Sequence, residues 1–193
     1  KASGNLHTIK WLFSNGSSIK ERNSYGDSCI LVAAAHSGSI ELMEYLVEKG
    51  CSLKDRNNEG NTCLILAAKH EHWDVFHWLI KQGCSVQERN NDGYSCILNA
   101  AMEADMDGIE ILLENGSSLK ERNNFGETAL TIASGRGYSD TAEFLVSKGS
   151  SLQEMSMKGT CVMQAARHAN SDEFARDLVI WMLQNGSSVN ENM

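Results

Sequence analysis

The chain has 193 residues, 41% hydrophobic and 22% charged, which is enough apolar material for a sizeable core and too little charge for a disordered segment. Its formal net charge of -8 disfavours a phosphate backbone or an anionic membrane surface, since each needs a basic footprint. No apolar run approaches the roughly 20 residues of a membrane span, and no leader of the signal-peptide type opens the chain.

Three residue ladders share one period. Glycine follows asparagine-rich turns at Gly26, Gly60, Gly93, Gly126 and Gly159, at steps of 34, 33, 33 and 33 residues. A second series, Gly16, Gly50, Gly83, Gly116, Gly149 and Gly186, steps by 34, 33, 33, 33 and 37. Arginine recurs at Arg22, Arg56, Arg89 and Arg122, at 34, 33 and 33. Self-similarity at a fixed period marks a repeat array.

Taken in chain order, residues 1–22 form a partial unit and full units follow at about 23–56, 57–89, 90–122, 123–155 and 156–193, all within one domain. Residues 1–16 supply a second helix, with Leu6, Ile9, Trp11, Leu12 and Phe13, but almost no first helix to pack against it. We expect that end to be covered by an upstream unit or by self-association of two copies. Each full unit opens with Ser or Thr, placed to cap a short apolar helix. That helix ends in a small pair: Ala33-Ala34, Ala67-Ala68, Ala100-Ala101, Ala133-Ser134, Ala165-Ala166. The second helix carries apolar residues seven, four and three positions before its closing glycine, as in Phe76, Leu79 and Ile80, which predicts a one-faced stripe. The closing glycine sits where a helix end takes a left-handed residue. One unit has an extra residue near Ala35. The last has one residue fewer after Gly159 and five more before Gly186, an insertion around residues 168–176 that suits either capping or binding.

The pattern G-x-[ST]-x-[LI]-x-x-A-[AS], then a second helix and G-[SC]-S-[LIV], resembles the ankyrin repeat over essentially the whole chain. The resemblance implies an all-α solenoid of helix-turn-helix units joined by projecting turns. It also implies a protein-binding role on the concave face made by turn tips and first helices. The T-P-L-H tetrapeptide of that family reads Thr62-Cys63-Leu64-Ile65 here, with counterparts in the other units. Proline is absent throughout, and the histidine is lost. We expect apolar packing to replace the histidine ladder. His72 falls in a slot where such repeats carry a structural histidine.

By the same resemblance, the partner-binding positions are Tyr25, Asp27, Glu59, Asn61, Lys69, Asp92, Tyr94, Met102, Glu103, Phe125, Glu127, Arg136, Lys158 and Arg167. Tyr25, Tyr94 and Phe125 stand on polar turns where no core needs them, and exposed aromatics anchor interfaces. Acids weight the first four units, and Arg136, Lys158 and Arg167 make the end basic, a gradient that would orient a partner of matching polarity.

Nothing in the sequence points to catalysis, a cofactor or a metal. The six cysteines lie at repeat spacing without a C-x-x-C, so they read as structural thiols of a reduced, intracellular and cytoplasmic protein. His70 and His72 do not share a helix face. Each ladder arginine has an acid before it, Glu21, Asp55, Glu88 or Glu121, so we expect alternating charge rather than a basic stripe. The aromatics five residues before the closing glycines read as packing between repeats. The first functional reading is a non-enzymatic interaction scaffold for a partner protein, without nucleic acid or membrane insertion. The alternative is a targeting or regulatory segment of a larger enzyme, channel or effector, in keeping with a chain that starts at Lys1 and an incomplete first unit.

Overall fold

A computed structural model of the protein describes residues 2–167 and 173–187. The chain forms two compact units, residues 1–91 and 92–193. In the first, α1 (Ala2–Ser14) precedes α2 (Cys29–His36), α3 (Ile40–Glu48), α4 (Cys63–Lys69) and α5 (Trp73–Lys81). Helix α2 packs on α3 and α4, α4 on α5, and α1 on α3. The second holds α6 (Cys96–Met102), α7 (Met106–Glu114), α8 (Ala129–Arg136) and α9 (Ser139–Ser147). After these come a two-residue hairpin, β1 (Met155–Ser156) with β2 (Gly159–Thr160), then α10 (Cys161–Ala166) and α11 (Glu173–Gln184). There α8 lies between α6 and α10, and α9 touches α11. The fold class is the all-α repeat expected from the sequence.

The first helices have six to eight residues, too short to stand alone in water, so packing must hold them. They are buried nearly all round: every residue from Cys63 to Ala68 lies in the core. The lost histidine slot is filled by Leu31, Ile65 and Leu98, each fully buried. Thr62, Thr128 and Thr160 cap as expected, with Thr128 and Thr131 capping each other reciprocally. Ser28 and Ser95 do not; their buried hydroxyls find no partner. Thr160 follows Gly159 directly, which is where the last unit is one residue short, and the hairpin supplies the turn instead. The extra residue lies in α2: Gly38 turns left-handed 12 residues after Gly26, while Glu71, Ala104 and Gly137 do so 11 after theirs. The inserted segment begins outside the described residues, at 168–172.

The second-helix stripe needs one correction. Residues seven and four before the closing glycine are core, as in Met43 and Leu46 or Phe76 and Leu79, but the third core position is eight before, at Leu42, Val75, Gly108, Thr141 and Leu178. Positions three before lie at the edge of that face: Phe13, Ile80, Leu113 and Val146 are half-buried, and Val47 and Leu183 are 38% and 42% exposed. Each residue rotates about 100° around the helix, so the set at eight, seven and four spans a face as wide as the set at seven, four and three, turned by about 40°. The aromatics five before are only half-buried. Phe13 and Tyr45 do stack across repeats, at 6.3 Å between centroids. In the partial first unit Leu6 is buried and Trp11 and Leu12 are exposed, while Thr8 and Ile9 of α1 line a recess of about 520 Å3 with residues of α2 and α3.

Two predictions follow from the backbone. Glu71 and Ala104 hold φ of 58° and 57° where the other units use glycine. Ala104→Gly should therefore stabilise by about 0.5–1 kcal/mol, since a left-handed L-residue costs more than glycine's extra chain entropy. A thermal melt with no rise in Tm would contradict this. Arg56→Met removes two charge-assisted hydrogen bonds to backbone carbonyls, described below, and should cost about 1–2 kcal/mol. A melt unchanged within error would make those bonds ornamental.

Candidate functional site

The candidate binding residues sit on turns that are tied down from several sides. Asn23 Oδ1 accepts from the amides of Tyr25 and Asp27, both at 2.9 Å. Asn57 does the same for Glu59 and Asn61, and Asn123 for Phe125 and Glu127. Neighbouring turns then join by backbone bonds: the amides of Asn58, Asn91, Asn124 and Met157 donate to the carbonyls of Tyr25, Glu59, Asp92 and Phe125 at 2.9–3.1 Å. Gly60 has φ of 79°, and a Cβ there would run into the Asn91 side chain, so only glycine lets the next turn approach this closely.

The arginine ladder completes the staple, with carbonyl bonds that the expected charge alternation did not include. Arg56 Nη1 donates to the Gly60 carbonyl of its own turn at 2.6 Å and to the Arg89 carbonyl of the next at 2.7 Å. Arg22 bonds Gly26 and Arg56 in the same way, and Arg122 bonds Gly126 and Met155. Arg22 also meets Asp55 of the next unit at 3.2 Å, so its guanidinium serves carbonyl oxygens and an acid together.

In residues 1–91 a recess of about 260 Å3 gathers Tyr25, Asp27, Glu59, Asn61 and Lys69 with His36 and His70. Tyr25 is 71% exposed. Asn61, expected on a free surface, is buried: its Oδ1 accepts from Asn90 and its Nδ2 donates to Glu59. Asp27 accepts from Asn57 at 2.9 Å. The His36 and His70 rings lie 5.3 Å apart. His72 takes the structural place expected of it, with Nε2 3.1 Å from the Ala35 carbonyl of the preceding repeat.

In residues 92–193 a second recess, of about 240 Å3, gathers Tyr94, Met102, Glu127, Arg136, Lys158 and Arg167. Glu127 is buried rather than displayed, and its carboxylate meets Lys158 Nζ at 2.7 Å, Asn123 Nδ2 at 2.7 Å and the Tyr94 hydroxyl at 3.2 Å. Burial pushes its pKa up, but those three donors outweigh it and hold the carboxyl below its ordinary range. Burial and the adjacent carboxylate push the Tyr94 phenol up. Tyr94 is accordingly half-buried and bound to the next repeat, not the free anchor expected. Asp92 and Glu103 are exposed and line neither recess. Phe125 is 41% exposed, with Lys158 Nζ 5.9 Å from its ring centre.

Gln164 is a lining residue that sequence reasoning missed. It is buried, and its Nε2 donates to Ser156 Oγ at 3.1 Å and the Gly159 carbonyl at 3.2 Å. The available signal was a polar residue just before the small pair, a slot that holds Asn99 in one other unit and Val32, Leu66 and Ile132 in the rest.

The thiols are poor nucleophiles and poor ligands. Burial raises Cys51 and Cys84 to about 11, and buried Cys63 is pushed higher still. Cys63, Cys96 and Cys161 fill core positions at the starts of first helices.

The family model for ankyrin repeats in three copies matches residues 1–90 and 97–193. The chain belongs to the ankyrin-repeat family. No curated protein matches it. Among solved structures, a similar chain comes from one described as the Bd0816 predatory endopeptidase from Bdellovibrio bacteriovorus in complex with immunity protein Bd3460. The likeness has a TM-score of 0.69 and 28% identity, and covers 92% of this ankyrin-repeat chain and 93% of that chain. No helix among the described residues is long and apolar enough to cross a membrane.

Glu127 gives the site a pH signature. Its folded pKa lies below the ordinary 4.5, so its contribution is present at neutral pH and is lost as pH falls below that value. Wild type should lead Glu127→Gln in Tm at pH 7, with the gap closing by pH 3. A gap independent of pH would contradict the assignment.

Proposed function

We propose that this ankyrin-repeat chain is a non-enzymatic module that binds a partner protein across the turn tips and first helices of its repeats. The observation that carries the reading is Tyr25, a large aromatic 71% exposed on a turn whose backbone is fixed by hydrogen bonds on both sides. A rigid scaffold presenting an exposed ring binds without losing much chain entropy on contact. Phe125 repeats the arrangement in residues 92–193. All the candidate residues except Asp92, Glu103 and Phe125 fall into the two recesses, each formed by turn tips together with first helices.

The similar solved chain belongs to a complex between a peptidase and an immunity protein, which supports a protein as the class of partner. The net charge of -8 argues against nucleic acid. Thiols held protonated by burial suit a reducing, cytoplasmic setting.

The test is affinity capture with wild type and with Tyr25→Ser/Phe125→Ser, read by mass spectrometry. The variant should lose the proteins that wild type retains. Its Tm should move little, since changes at exposed positions stay within about 0.5 kcal/mol. Capture of the same set by both proteins would overturn the reading.

A further inference from the structure

We propose that the recess in residues 92–193 receives a carboxylate of the partner, carried by an acidic side chain with apolar neighbours; this rests on the protein-binding reading above. Three cations line the recess, Arg136, Lys158 and Arg167, against a single acid, Glu127. That acid is already satisfied by Lys158, Asn123 and Tyr94. Two positive charges are left over in a chain whose net charge is -8. They belong to guanidinium groups, the side chains best shaped for a carboxylate. Among the described residues Arg136 has no hydrogen-bond partner in the protein, although it lies close enough to bear on Tyr94. Arg167 commits one nitrogen, Nη2, to the Lys158 carbonyl at 3.0 Å, and its other donors remain.

Size and surroundings narrow the ligand. At about 240 Å3 the recess is smaller than the roughly 300 Å3 at which small-molecule sites begin, and it suits the end of one side chain. Beside it, Phe125 and the 81% exposed Met157 flank Lys158, the first within cation–π reach. A ring and an adaptable thioether next to a cationic recess fit an acidic residue set between apolar ones. The burial of Tyr94 and Glu127 is what builds this site: they hold Lys158 in place and leave the arginines for the partner.

The test uses fluorescein-labelled peptides with a central Leu-Glu-Phe, Leu-Gln-Phe or Leu-phosphoserine-Phe in a constant neutral frame, titrated into the whole protein by fluorescence polarisation. The glutamate peptide should bind about tenfold tighter than the glutamine peptide, the value of one hydrogen-bonded charge, and should weaken with added salt. Arg136→Gln/Arg167→Gln, both exposed positions, should abolish that preference without changing the circular dichroism melt, and Arg136→Lys alone should restore part of it. Equal binding of glutamate and glutamine peptides, tighter binding of phosphoserine, or no binding of any peptide would each overturn the proposal. Partner capture separates the two readings. If Arg136→Gln/Arg167→Gln still captures what Tyr25→Ser/Phe125→Ser loses, the recess is wrong and protein binding stands. If the Tyr25/Phe125 variant also captures everything, both readings fall.

Discussion

The structure depends on how an arginine at the base of each turn uses its guanidinium. A turn that projects from a stack of short helices carries backbone carbonyls with no partner inside the helices. Arg56 answers two of these at once, one in its own turn and one in the next. The asparagine in the following position answers the amides, holding two of them with one Oδ1. Local and neighbouring repeats are thereby fixed by the same pair of residues. Both bonds come from one nitrogen, Nη1, so the rest of the guanidinium stays available, and in Arg22 Nη2 meets Asp55, a reach that a compact ammonium lacks. That reach explains why arginine, and not simply positive charge, keeps the period.

Once the backbone is fixed in this way, the side chains at the tips are released from structural duty. Tyr25 uses the freedom fully. Glu127 shows the opposite case, a tip residue drawn inward because it has Lys158, Asn123 and Tyr94 around it. A buried carboxylate without those donors would titrate upward and weaken the turn. With them it becomes the organiser of a cationic recess. Glu127 holds the turn together through that network, whereas Arg136 is exposed and makes no hydrogen bond among the described residues.

The period, the two helices per unit, the small pair, the closing glycines and the odd lengths of the Ala35 and Gly159 units were legible in the sequence because each is a side-chain pattern with a local cause. The positions of the recess-lining residues were legible as slots. Their state was not. Tyr94, Asn61 and Glu127 look like free polar-turn residues until the donors and acceptors of the adjacent repeat are in place, and those lie about 30 residues away in sequence. An acid near a ladder arginine was legible, as Arg22 with Asp55 shows, but the carbonyl partners were not, since a sequence displays charged neighbours and hides carbonyl oxygens. The second-helix stripe was displaced at one position because Gly108 and Thr141 are small or polar and do not announce a core face.

The missing histidine ladder shows what kind of stability this array has. In its slot Leu31, Ile65 and Leu98 are fully buried, and within each compact unit the adjacent first helices, α2 with α4 and α6 with α8, are joined by apolar area instead of directed bonds. Only Thr131 keeps a polar link in that slot, and it serves its own helix through Thr128. Apolar contact tolerates small shifts that a hydrogen bond would resist. The helical layer therefore leaves the spacing of repeats loosely set, and the turns set it through arginine and asparagine. Met163 occupies the same slot in the last unit and is exposed, since no further first helix covers it among the described residues. Orientation is thus decided at the turns, and cohesion is decided in the helices behind them.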